Sequence, residues 1–190
     1  MNNKQRIRLF IWLTIVLCFW VWVIYKNQQL GIEQIASFLK RFQRFIIIAY
    51  LIFCSLRAFT LIPNMTVLLV GTLVISNPWA LLVTSLIGFV ISSSLIYFFG
   101  EDTGMDKILL AKYPDKVEKI KLSTDRYGAP IIFLWGFLPA IPADLISFIL
   151  GIIKFNYWRF ILPHTLSHIV TYSIIIFGSK SLWTLLGISI

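Results

Sequence analysis

Four titratable side chains lie where an apolar chain has least use for them: Arg57, Asp144, His164 and His168. Asp144 follows Pro139 and Pro142 inside the stretch 131–153, which is apolar and long enough to cross a bilayer. A carboxylate in hydrocarbon is costly and marks a functional site by default. Proline removes a backbone donor and clashes with the preceding turn. In lipid, broken backbone persists only where protein or a water-filled cavity covers it. The stretch therefore reads as a discontinuous element lining a polar cavity, with Asp144 either capping the second helical piece or pairing with a cation. Arg57 sits between two apolar runs, six residues before Pro63. Its guanidinium can grip a phosphate with paired donors, pair with Asp144, or snorkel to the headgroups. Asn64, next after Pro63, is placed to cap the helix that follows. His164 and His168 are spaced i, i+4, so they share one helical face. Zinc binding would need a further ligand that the sequence does not place, so a proton relay with Asp144 and plain packing are the remaining readings.

These residues need elements to hold them, and the composition says which. The chain of 190 residues is 58% hydrophobic and 13% charged, too apolar for the surface of a soluble domain. At about 20 residues per span it suits four to six apolar segments. Net charge is +9, yet outside residues 100–130 the only carboxylates are Glu33 and Asp144. Such a basic excess suits anionic lipid headgroups rather than nucleic acid, since no basic stripe interleaves with exposed aromatics. Cys18 and Cys54 both lie in apolar runs and read as small buried hydrophobes.

Residues 9–25 form an apolar run after a basic start, without a small-residue cleavage site, and read as an uncleaved first span. Residues 26–44 carry Ile32, Ile35, Phe38, Leu39 and Phe42 at helical spacing, the pattern of an amphipathic helix in the interface plane. Residues 1–44 thus form an N-terminal anchor and 45–178 a membrane domain. Within it, 45–56 is apolar, 58–76 is broken at Pro63-Asn64, and 79–100 is a clean span with small residues at Ser85, Gly88 and Ser92–Ser94. Residues 101–129 face water, with a helix expected over 114–127 that Gly128 stops. Lys154, Tyr157, Trp158 and Arg159 form a basic-aromatic turn suited to the headgroup region. Residues 160–177 are a last span, and the remainder from 179 is a short apolar tail. Basic flanks are too even to orient the chain firmly; the reading favours a cytoplasmic N-terminus.

The two broken stretches repeat at an offset of 79 residues: Pro63 and Pro142, Asn77 and Asn156, Trp79 and Trp158. Paired interrupted segments in corresponding halves point to a transporter's central site.

The same residues carry a resemblance. L-R-A-F-T-L-I-P-N-M-T-V-L-L-V-G-T-L (56–73), Y-F-F-G-E-D-T-G (97–104) and F-L-P-A-I-P-A-D-L-I-S-F-I-L-G-I-I-K-F-N-Y-W-R-F (137–160) resemble the DedA superfamily, which shares the VTT domain and includes the SNARE-associated Golgi protein family. The resemblance implies an all-α polytopic membrane protein. Its transmembrane helices would flank two re-entrant hairpins, arranged as an inverted repeat and entering from opposite faces. It implies lipid movement between leaflets, of polyprenyl phosphate in bacterial relatives and phospholipid in eukaryotic ones. The chain departs from the family pattern. Gly136 stands where relatives often carry arginine before the second motif, Met65 where carrier-type members carry glutamate, and Glu101 where arginine often follows the small-residue span.

The expectation is a lipid transporter or scramblase, not an enzyme, without cofactor or metal, in a bacterial plasma membrane. Its partners are anionic phospholipid or polyprenyl phosphate, and association of copies is left open. The transport residues are Arg57, Pro63, Asn64, Pro139, Pro142 and Asp144. The headgroup residues are Lys154, Tyr157, Trp158 and Arg159, with His164 and His168 as a relay. The rival readings are a proton-coupled small-solute transporter and a non-transporting scaffold.

Overall fold

A computed structural model describes residues 3–25, 32–60, 62–103, 114–137 and 143–185. Every regular element among the described residues is a helix, in the order α1 (Asn3–Tyr25), α2 (Ile32–Lys40), α3 (Ile46–Leu56), α4 (Asn64–Val74), α5 (Pro78–Asp102), α6 (Pro114–Phe137), α7 (Ala143–Ile152) and α8 (Tyr157–Leu185). A 3-10 turn over Arg57–Thr60 continues α3. Two stretches, Pro78–Asp102 and Tyr157–Gly178, are long and apolar enough to cross a membrane, whereas α3, α4 and α7 are short apolar helices.

Local chemistry sets these boundaries. Asn77 caps α5: its side-chain oxygen accepts from the backbone N–H of Trp79 at 3.0 Å and of Ala80 at 3.1 Å. Pro78 then fills the first position, where a missing N–H costs nothing. Asn156 does the same for α8, accepting from the Arg159 N–H at 3.1 Å. At the end of α7 the Lys154 N–H bonds the Gly151 carbonyl and the Phe155 N–H reaches back to the Leu150 carbonyl, each at 3.0 Å. Lys154 adopts the left-handed conformation this stop requires, with φ 54°.

The 79-residue offset of the sequence also relates the elements. Asn64 and Ala143 open α4 and α7, and Pro78 and Tyr157 open α5 and α8. The two long helices run antiparallel. Trp79, at the start of α5, packs on Phe177 late in α8 at 5.0 Å between ring centroids. Tyr97, near the end of α5, stacks on Phe160 at the start of α8 at 5.5 Å. Two core clusters form, each drawing on both long helices. One gathers Tyr50, Leu68, Leu81, Phe89 and Tyr172; the other gathers Tyr97, Ile132, Leu150 and Phe160. Small residues let the helices close on each other: a Cβ at Gly88 would strike Cys54, and one at Gly151 would strike the Tyr97 carbonyl.

Several expectations are corrected. Gly128 does not end a helix at Tyr127; α6 runs on to Phe137, through Pro130. The apolar residues past the proline give that continuation a face to bury, Ile132 being fully covered. Gly128 instead lets Phe155 approach, since a Cβ there would lie 3.3 Å from its ring. The apolar tail from 179 is not separate up to Leu185, because α8 extends that far. Cys18 is exposed while Cys54 is buried, so only the second behaves as a buried hydrophobe. In α2, Ile35, Ala36 and Leu39 enter the core that holds Val67 and Leu68, whereas Phe38 stays exposed. The outward faces of the long helices are apolar, with Val83, Ile87, Leu95, Leu166 and Ile174 exposed. Such a surface has acyl chains as its natural solvent.

Candidate functional site

Arg57 opens the 3-10 turn that continues α3, and Asp144 stands in the first turn of α7. They are 87 residues apart and meet face to face. Arg57 Nη1 donates to Asp144 Oδ2 at 2.7 Å and Nη2 donates to Oδ1 at 3.2 Å. Nη1 also donates to the Ile62 carbonyl at 3.3 Å, which ties the guanidinium to the break before α4. Arg57 is only 2% exposed, so it does not snorkel. Of the three readings open to it in the sequence, the structure holds the pair with Asp144. A two-pronged ion pair is the geometry that can offset desolvation of both charges. Because each partner sits at an interrupted segment of a different half, the pair latches those segments together.

Around it lies a belt of buried polar side chains. Asn64 is the first residue of α4 rather than its cap; Pro63 precedes the helix with ψ 135° and makes no side-chain cap. The Asn64 amide oxygen instead accepts from the Tyr172 hydroxyl at 2.7 Å, joining α4 to α8. Tyr50 donates to the Val67 carbonyl at 3.2 Å and shares a hydrogen with Ser85 at 3.0 Å. His164 and His168 lie on the buried face of α8 as their spacing predicts, stacked along Phe89 at 5.0 and 3.8 Å. His168 Nδ1 lies 3.0 Å from the His164 carbonyl, which calls for a proton on that nitrogen. Neither ring nitrogen of His164 closes a hydrogen bond of ordinary geometry, although the Ala143 backbone faces it. No hydrogen bond joins either histidine to Asp144 among the described residues, so the structure does not display the expected relay as a direct contact.

Gly136 contributes by what it lacks. A Cβ there would collide with Ser167 and come within 3.0 Å of His164 Nδ1. The bare backbone lets α6 press onto α8 and seal His164 inside. At the 79-residue offset Gly136 corresponds to Arg57, and Met65 to Asp144. The halves are therefore unequal: one supplies the arginine, the other the carboxylate, and the reciprocal positions carry no charge.

Pro139 and Pro142 lie outside the described residues. Of the basic-aromatic turn, Lys154, Trp158 and Arg159 are exposed, while the Tyr157 hydroxyl shares a hydrogen bond with Ser94 at 2.7 Å. These four residues lie apart from the Arg57–Asp144 pair, at the far end of α7. Sequence reasoning missed Tyr172 and the serines of α5 as members of the belt. Buried hydroxyls in a membrane helix are ambiguous until a partner helix is known; the run Ser92–Ser94 was the signal.

A family model of the VTT domain matches residues 62–181, a span that takes in α4 through most of α8 and both Asp144 and the histidines. No curated protein and no solved structure matches the chain.

Proposed function

The chain belongs to the VTT-domain family of DedA and SNARE-associated Golgi membrane proteins, and from that premise we propose that it moves lipid between leaflets. In this reading α3 with α4, and the end of α6 with α7, are two re-entrant hairpins that enter a bacterial plasma membrane from opposite faces. An anionic headgroup, of a phospholipid or a polyprenyl phosphate, crosses between them while its tails stay in the surrounding acyl chains. No covalent chemistry is part of the reading.

The observation that carries it is the buried Arg57–Asp144 pair between the two interrupted segments. A charged pair is expensive to keep in an apolar interior, and replacing one by apolar residues is often neutral or stabilising. Its presence calls for a use beyond stability. A guanidinium that grips a carboxylate with two donors can grip a phosphate oxygen pair in the same way. Asp144 then serves as the internal stand-in that an arriving headgroup displaces, and its return releases the headgroup. The break before α4 supports this reading further, since irregular backbone at membrane depth belongs beside a polar cavity.

Reconstitution tests it. The purified chain is placed in phosphatidylglycerol-containing vesicles bearing a headgroup-labelled fluorescent lipid, and a membrane-impermeant quencher is added outside. Loss of signal from both leaflets is the expected result. Loss from the outer leaflet alone, repeated with a labelled polyprenyl phosphate, contradicts the proposal and leaves the scaffold reading standing.

A further inference from the structure

The belt contains atoms that the protein itself leaves unserved. Ser92 and Ser93 are fully buried in α5, His164 is fully buried in α8 with the Ala143 backbone facing its ring, and none of their side-chain polar atoms closes a hydrogen bond of ordinary geometry. The serines are not short of acceptors. Hydroxyls in membrane helices usually bond the carbonyl four residues back, and this chain does so repeatedly: Ser55 to Leu51, Thr84 to Ala80, Ser94 to Val90, Ser147 to Ala143 and Thr171 to Ser167. Ser92 and Ser93 stand apart from that habit.

Helix register brings Ser93 and His164 together. Phe89 stacks on His168, and Tyr97 stacks on Phe160. Along antiparallel helices those two pairs bracket a third, which sets Ser93 level with His164. The imidazole lies between the Phe89 and Phe160 rings at 5.0 and 5.1 Å. A dry site of this kind leaves each polar group without the bonds it makes to water in the unfolded chain, at a cost in free energy. Pro163 adds a way in. It stands inside α8 immediately before His164, and its ring cannot donate to the carbonyl four residues back, so the helix is loosened at this level.

We propose that Ser93 and His164 form an internal water site at the contact of α5 and α8. One hydroxyl and one imidazole, offering donors and acceptors together, supply the first two of the two to four polar partners that a buried water takes. Water held here keeps a wet surface inside the resting protein, close to the Arg57–Asp144 latch. Its use as the first hydrated step for a headgroup rests on the transport reading; its existence does not.

X-ray radiolysis of the full chain in detergent, in 18O-labelled water, reads buried water directly, because hydroxyl radicals made on a bound water mark the rings beside it. Phe89 and Phe160 are the reporters. Tyr50 is the dry comparison, being equally buried with its hydroxyl bonded inside the protein. The expected result is 18O labelling of Phe89 and Phe160 several-fold faster than of Tyr50, reduced to the Tyr50 level in Ser93→Ala/His164→Leu. Labelling of both phenylalanines no faster than Tyr50 in the unaltered chain overturns the site, whether or not the double variant folds. The outcome is independent of transport. Vesicles that fail to move lipid leave fast Phe89 labelling as it stands, and active vesicles with a dry Phe89 remove this inference alone.

Discussion

Arg57 and Asp144 are each held by the other, so single and double substitutions behave differently. Arg57→Leu alone strands a buried carboxylate and lowers unfolding free energy by about 3–5 kcal/mol. Adding Asp144→Leu removes the stranded charge and returns stability close to that of the unaltered chain. Chemical denaturation of the single and double variants in the same detergent checks both statements; a double variant as unstable as the single one contradicts them. Tyr172→Phe removes only the hydroxyl that Asn64 accepts, and costs about 1 kcal/mol by the same measurement. Sequence alone picks out Arg57 and Asp144, because charge inside an apolar run is conspicuous. It leaves their partnership open, since nothing local in an 87-residue separation encodes a contact. The role of Asn64 is hidden for a related reason: after a proline it looks like a cap, and only the placement of Tyr172 shows what its oxygen accepts.

Among the elements, the closest approaches decide how the halves fit. Gly151 lies against the Tyr97 backbone, where carbonyl atoms cannot move aside as a flexible side chain would. Gly151→Ala therefore pushes α7 off α5 and destabilises by about 1–3 kcal/mol, as overpacking does. Lys154 is the opposite case. It holds a left-handed φ of 54° at the end of α7, a conformation that costs a side-chain-bearing residue about 1–2 kcal/mol. Lys154→Gly is expected to raise the thermal midpoint; a lowered midpoint would show that the lysine side chain contributes more than its backbone costs. The starts of α5 and α8 were legible through Asn77-Pro78 and Asn156-Tyr157, and the two interrupted segments through their prolines. The length of α6 was not. Gly128 and Pro130 read as a stop in isolation, and only the burial of Ile132 against the second core shows why the helix continues.

At the scale of the whole molecule, apolar composition announces a membrane protein, and the 79-residue offset announces two halves. Their relative direction follows from the ring contacts of Trp79 with Phe177 and Tyr97 with Phe160, which no sequence pattern supplies. Antiparallel α5 and α8 put Trp79 and Trp158 at opposite ends of the domain, both largely exposed. Single cysteines at these two positions, in a chain carrying Cys18→Ser and Cys54→Ala, are expected to react with an impermeant maleimide from opposite sides of the vesicle. Reaction of both from one side would remove the inverted arrangement. The most direct measurement of the central claim compares lipid movement by the unaltered chain and by Arg57→Leu/Asp144→Leu, both folded and reconstituted at equal density. The stable double variant is expected to leave inner-leaflet label protected while the unaltered chain exposes it. Equal exposure by both proteins would contradict it.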